Sequence, residues 1–331
     1  MSETQLRNEY LAQRGFLYAK ALEGVRKGLD RTREVLLWRG FLVMQIGNKL
    51  FLSVGSPRED LMMLRHFNMN IRVLPGRHPF PGHRPTAALS DQDISFSKDI
   101  LAEIEPTEDE ELLYRLFGTS PVTMGMCGPH EFSGWTEKDW KTFKRLRFGR
   151  KVPVEVLDPG VALIVKILPL LGLDTVLSCE GHSPGEIKGW RSRYSFNEQF
   201  RNAEKYNDTV PTVSLMSEYH REWARQVLPL FLAEDDPFIK QWTFEEHFGN
   251  LGYNWRMAPA GSIYNLETKY EALKQVQRLA RRILESHWDA RGNYDPENSL
   301  ARRIRDYKMH LTSPRDLKDP DLRNKIALHC R

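Results

Sequence analysis

The stretch Asp158-Pro159-Gly160-Val161-Ala162-Leu163-Ile164-Val165-Lys166-Ile167-Leu168-Pro169-Leu170-Leu171-Gly172-Leu173-Asp174-Thr175-Val176-Leu177-Ser178-Cys179-Glu180-Gly181-His182 decides the fold class. Asp158 suits an N-cap and Pro159 the first helical position. The apolar run over 161–171 is too continuous for a helix with a solvated face. Gly172 stops it at C′, and Thr175-Val176-Leu177 then reads as a buried strand. A buried helix feeding a buried strand predicts an α/β fold, with α+β as the alternative.

Outward from this unit, 211–216 predicts a strand and Ser217 with Glu218 caps a helix carrying Trp223, Val227, Leu228, Leu230 and Phe231. Leu-Pro-Leu at 168–170 and again at 228–230 predicts a similar kink in both helices. Strands over 239–246 and 252–258 join through Gly249-Asn250. A long amphipathic helix over 266–288 follows, with Leu266, Tyr270, Leu273, Val276, Ala280, Ile283 and His287 on its apolar face. Residues 158–290 thus predict a compact mixed sheet with packed helices. Residues 291–331 read as a basic tail containing Arg302, Arg303 and Arg305.

Upstream, 1–134 predicts a smaller α+β region. Its helix over 4–38 breaks near Gly24 and carries Arg7, Arg14, Lys20, Arg26, Lys27, Arg31 and Arg33, either on a solvated face or against a nucleic acid or second subunit. A hairpin turns at Gly47-Asn48-Lys49 between 41–46 and 50–54. A helix over 58–66 and a strand over 71–74 follow. Pro75, Pro79, Pro81 and Pro85 exclude regular structure over 75–85, leaving a stiff connection or a loop that offers His78 and His83. Thr107 and Glu110 predict a capping box for a helix ended by Gly118. Residues 135–157 predict a connector helix bearing Lys141, Lys144, Arg145, Arg147, Arg150 and Lys151. This is a candidate phosphate-binding patch, with Phe143 and Phe148 available for stacking, or an ordinary charged helix end.

Chemistry concentrates in two Cys-x-x-His pairs, Cys127-Gly-Pro-His130 and Cys179-Glu-Gly-His182. Thiolate and imidazole are zinc ligands, so Cys127, His130, Cys179 and His182 form a candidate tetrahedral site. Two unrelated turns, with Cys127 buried as a small hydrophobe, are the alternative. The second pair has its own claim, because reactive side chains just past a strand's carboxyl end sit where α/β sheets place ligands. There Cys179 suits a nucleophile or metal ligand, and Glu180 or His182 a general base. Ser178, Arg191, Arg193 and Arg256 are candidate substrate contacts, the arginines as anion clamps.

The Thr175-x-x-Ser178-Cys179-x-Gly181-His182 pattern resembles the Ser-Cys-x-Gly-Arg signature of the tRNA wybutosine-synthesising methyltransferase family, with His182 where that family has arginine. It is also similar to phage and plasmid proteins that carry a Ser-Cys-x-Gly-His turn. Both resemblances are confined to this turn.

Composition sets the outer bounds. The 331 residues suggest two domains, or one large domain with an elaborate N-terminal portion, and 40% hydrophobic with 28% charged content suits a soluble protein with a true core. A net charge of +4 restricts nucleic-acid affinity to local patches. Three cysteines argue against a disulfide framework and for a reducing compartment. The first residues lack a signal peptide's apolar core, and 161–171 is too short to span a bilayer, so the expectation is cytoplasmic with no membrane contact. No Walker loop, dinucleotide fingerprint or His-Glu-x-x-His motif occurs. Two functions remain: an enzyme acting on a nucleic acid or nucleotide, with zinc as candidate cofactor and hydrolysis as candidate reaction, or a non-catalytic nucleic-acid-binding protein with structural Cys/His pairs.

Overall fold

The computed structural model describes residues 3–53, 56–73, 100–118, 153–181, 210–249, 252–260, 265–286, 299–311 and 315–330. Helix α1 (Glu3–Ala21) and α2 (Leu29–Arg39) flank the break expected near Gly24. Strands β1 (Val43–Ile46) and β2 (Lys49–Ser53) form the expected hairpin, pairing Val43 with Leu52 and Ile46 with Lys49. Helix α3 (Arg58–His66), β3 (Ile71–Val73), β4 (Ile100–Ile104) and α4 (Glu110–Gly118) complete this half, whose sheet runs β1-β2-β4-β3. The sequence pattern had no strand over 100–104. That strand is central, and its Glu103 is held by Arg72 and by Lys49 at 3.5 Å. The expected capping box at α4 is replaced by Asp109, whose Oδ1 accepts from the Leu112 amide at 3.0 Å. Glu110 instead pairs with Arg31 at 2.7 Å.

The opening stretch folds as α5 (Pro159–Ile167), a 3-10 turn over Leu168–Leu171, and β5 (Thr175–Cys179). Next come β6 (Thr212–Leu215), α6 (Glu218–Val227), a second 3-10 turn over Leu228–Phe231, α7 (Pro237–Gln241), β7 (Trp242–Gly249), β8 (Gly252–Pro259) and α8 (Leu266–Glu285). Both Leu-Pro-Leu sites therefore end their helices in the same way. The expected strand from 239 begins only at Trp242, because Asp236 caps α7 by accepting from the Phe238 amide at 2.9 Å. The second sheet runs β5-β6-β8-β7. It was expected to be mixed, yet each neighbouring pair is antiparallel. Strands β6 and β7 do run the same way, joined across α6 and α7, but β8 returns between them. The fold is α+β.

Helix α5 is buried on all sides, between α2 and α8. Gly40, with φ +104° at the end of α2, lets the two backbones meet; a Cβ there would fall on Ala162. One connected apolar cluster runs from Leu17 to Cys330 and joins both sheets and their helices. It includes Ile304 of α9 (Leu300–Lys308) and Leu322 and Ile326 of α10 (Leu322–His329), within the segment expected as a basic tail. Among the described residues no helix is long and apolar enough to cross a membrane.

Candidate active site

Strand β5 ends on a cluster of buried charges. Glu180 is 4% exposed and forms an ion pair with Arg14 of α1, itself 1% exposed. Lys269 of α8 lies 3.6 Å from the same carboxylate, and the Gly160 amide at the start of α5 donates to Glu180 Oε2 at 3.3 Å. Lys269 Nζ also donates to the Gly181 carbonyl at 2.7 Å and to Gln13 Oε1 at 3.2 Å. The strand end is thereby tied to three helices. Gly181 has φ +85°, a backbone state that costs glycine nothing, and its amide lies 3.3 Å from Cys179 Sγ.

Asp158 completes the cluster. It caps α5 by position, but no side-chain bond to the helix forms; Oδ2 instead accepts from the Glu180 amide at 3.2 Å. Burial and then the neighbouring Glu180 charge push its carboxyl up, to about 7. Glu180 moves the other way: burial works upward, but Arg14 and Lys269 overcome it and hold the group down, at about 2. The two adjacent carboxyls are thus pushed in opposite directions. Asp158 is half-buried, whereas Glu180 is closed in.

The raised Asp158 group carries a signed consequence for stability. A carboxyl that holds its proton more tightly when folded makes stability fall as pH rises from the ordinary carboxylate range to about 7. The Asp158→Asn variant cannot ionise and can still accept from the Glu180 amide. It is expected to exceed the wild type in stability at about pH 8, with the gap closing toward about pH 4. Urea unfolding at both pH values checks this; a gap that widens on acidification would count against the assignment.

The register places other candidates. Cys179 pairs with Thr212, and Ser178 with Val213, which pairs in turn with Met257 on the apolar side of the sheet. Arg256 pairs with Ser214, which pairs with Leu177, so by strand alternation Arg256 shares the Cys179 face and Ser178 takes the other. Arg256 is buried and its Nη2 donates to Glu245 Oε2 at 3.1 Å, so its charge is already answered. Cys127, His130, His182, Arg191, Arg193 and the patch of Lys141, Lys144, Arg145, Arg147, Arg150 and Lys151 lie outside the described residues, as does 75–85. Of the four expected zinc ligands only Cys179 is described, and it is half-buried. Among the described residues no group of three His, Cys, Asp or Glu is arranged to hold a metal.

Arg14, Asp158 and Lys269 were not expected at the site. A signal existed for two of them. Arg14 falls on the buried stripe Tyr10, Gln13, Leu17, Ala21, and Lys269 on the stripe Tyr270, Leu273, Val276. A charge in such a stripe implies a buried partner. No protein-family model, no curated protein and no solved structure matches the chain.

Proposed function

We propose that the chain is a cytoplasmic enzyme acting on a nucleic acid or nucleotide at the carboxyl end of β5. The observation that supports this reading is the buried charge cluster at the end of β5, where Arg14, Lys269 and the Gly160 amide hold the Glu180 carboxylate and Asp158 accepts from the Glu180 amide. In this reading Asp158 moves the proton and Cys179 is the nucleophile or a metal ligand. Glu180 is a positioning group: fixed by Arg14 and Lys269, it holds the turn that carries Cys179 and Gly181. His182 supplies a second base or ligand. The anionic substrate is inferred from Arg191, Arg193 and the basic run around Lys144 and Arg147. Zinc is the candidate cofactor, through the thiolate and imidazole donors of Cys127, His130, Cys179 and His182. A reducing compartment keeps those thiols available.

The test begins with metal content by plasma mass spectrometry on protein purified without chelators or a His-tag, beside Cys179→Ser. About one zinc per chain, lost in the variant, is expected. Nucleotide and phosphodiester hydrolysis is then assayed for the wild type, Asp158→Asn and Cys179→Ser, with turnover expected to fall at least about 100-fold in Asp158→Asn. Absence of turnover, with RNA binding unchanged in both variants and weakened by Lys144→Glu/Arg147→Glu, would establish the non-catalytic alternative instead.

A further inference from the structure

A second set of reactive groups lies at the other end of β5 and does not depend on the reading above. Asp174 immediately precedes β5, and Met216-Ser217 follow β6; the Met216 amide donates to the Asp174 carbonyl at 3.0 Å, joining the two strand ends. Helix α6 begins there, with Ser217 as its N-cap and His220 one turn on. Ser217 Oγ lies 2.8 Å from His220 Nδ1, and His220 Nε2 lies 3.5 Å from Asp174 Oδ2.

The tautomer follows from the partners. A carboxylate facing Nε2 requires the proton there, which leaves Nδ1 as the acceptor for the Ser217 hydroxyl. That hydroxyl still accepts from the His220 amide at 3.4 Å, so capping and the imidazole contact coexist. Capping needs only an oxygen directed at the helix amides. The imidazole on that oxygen, and the carboxylate behind the imidazole, exceed what a cap requires. The 3.5 Å step is within the looser spacing such sets have before substrate binds.

We propose that Ser217, His220 and Asp174 constitute a second reactive site, with serine as nucleophile and a short uncharged carboxylic ester as substrate class. Ser217 Oγ adds to the ester carbonyl carbon while its proton passes to His220 Nδ1. The alkoxy C–O bond breaks, and the leaving alkoxide takes that proton from Nδ1. Water then adds to the acyl carbon, giving a proton to Nδ1, and Ser217 Oγ departs with that proton as the acid is released. The first helical amides, those of Glu218 and Tyr219, have no i−4 carbonyl to serve and are the donors available to a carbonyl oxygen that gains charge. Exposed Met216 supplies an apolar lip for the acyl chain. The groups facing His220 are Ser217, Asp174, the Tyr219 ring and Lys308, whose Nζ bonds the Gly172 carbonyl. Burial first, and Lys308 next, lower the imidazole against the pull of Asp174, so it stays neutral and able to accept a proton near neutrality.

Labelling of the full chain with an alkyl fluorophosphonate tests this, since the serine oxygen displaces fluoride and the adduct maps by mass spectrometry. The expected result is an adduct on Ser217 in native but not heat-unfolded protein. It should be absent in Ser217→Asp, which keeps a capping oxygen, and slowed about 100-fold in His220→Ala. Asp174 acts through the imidazole, so Asp174→Asn is expected to move the pH midpoint of labelling downward. Asp158→Asn and Cys179→Ser should label like the wild type, which separates this site from the one beyond Cys179. An unlabelled Ser217 in folded wild type, or an adduct that forms equally fast in His220→Ala, would overturn the proposal.

Discussion

Replacing Glu180 with alanine is expected to lower the unfolding free energy by about 3–5 kcal/mol, the cost of removing one member of a buried ion pair. Arg14 and Lys269 both direct their charge at this carboxylate from positions closed to solvent. Without it two buried cations are left facing one another, with Asp158 as the neighbouring carboxyl. The shifts of the pair agree in sense: Glu180 is held down and Arg14 is raised against burial, so each favours its charged form. Urea titration should give a lower midpoint with an unchanged slope. Arg14→Met combined with Glu180→Gln should lose less than the sum of the single changes, by about 1 kcal/mol or more. The pH dependence has a definite sign. A carboxyl whose folded pKa is depressed contributes fully above its ordinary value, and that contribution disappears as pH falls from there toward about 2. Unchanged stability in Glu180→Ala would mean that Glu180 does not brace the strand end.

This double role also explains why loss of Glu180 is a poor test of catalysis. Any activity missing from such a variant could follow from release of the Gly181 turn. Asp158→Asn and Cys179→Ser carry the chemical question better, because each leaves the Arg14–Glu180 pair in place.

What the sequence disclosed follows from how local its signals were. The hairpin through Gly47-Asn48, the helix-to-strand unit ending at Cys179 and the capped helix at Ser217 were all readable, since turn chemistry and apolar runs act over a few residues. Strand β4 was not, because Glu103 reads as part of an acidic segment until Lys49 and Arg72 are brought beside it. Helices α9 and α10 were concealed by their arginines and lysines, although Ala301 and Ile304, like Leu322 and Ile326, keep helical spacing. The end of β5 at Cys179 was legible as well. Its buried counter-charges came from helices far away in the chain, and pairings of that kind carry no local signature.

A second buried pair is expected to behave differently from the first. Asp60 of α3 and Lys166 of α5 are both fully buried and paired; the Val154 amide also donates to Asp60 Oδ1 at 2.8 Å. Nearby Arg39 donates to the Val154 carbonyl at 2.7 Å. Here burial dominates. It raises Asp60 and lowers Lys166 despite their mutual attraction, so both are driven toward their neutral forms. Lys166→Met alone leaves the Asp60 carboxyl without its partner, to stay ionised in a closed apolar site or to take up a proton, and stability should fall by up to about 3–5 kcal/mol. Adding Asp60→Asn removes that charge yet retains an oxygen for the Val154 amide. The double variant should therefore recover most of the loss and come within about 1–2 kcal/mol of the wild type, since replacing a buried pair outright is often neutral. Urea unfolding of the two single variants and the double variant closes the cycle. A double variant as weak as Lys166→Met would mean that the attraction, rather than burial, dominates at this pair. The same exchange at Arg14 and Glu180 should not recover stability in this way, because Lys269 would still face the vacated position.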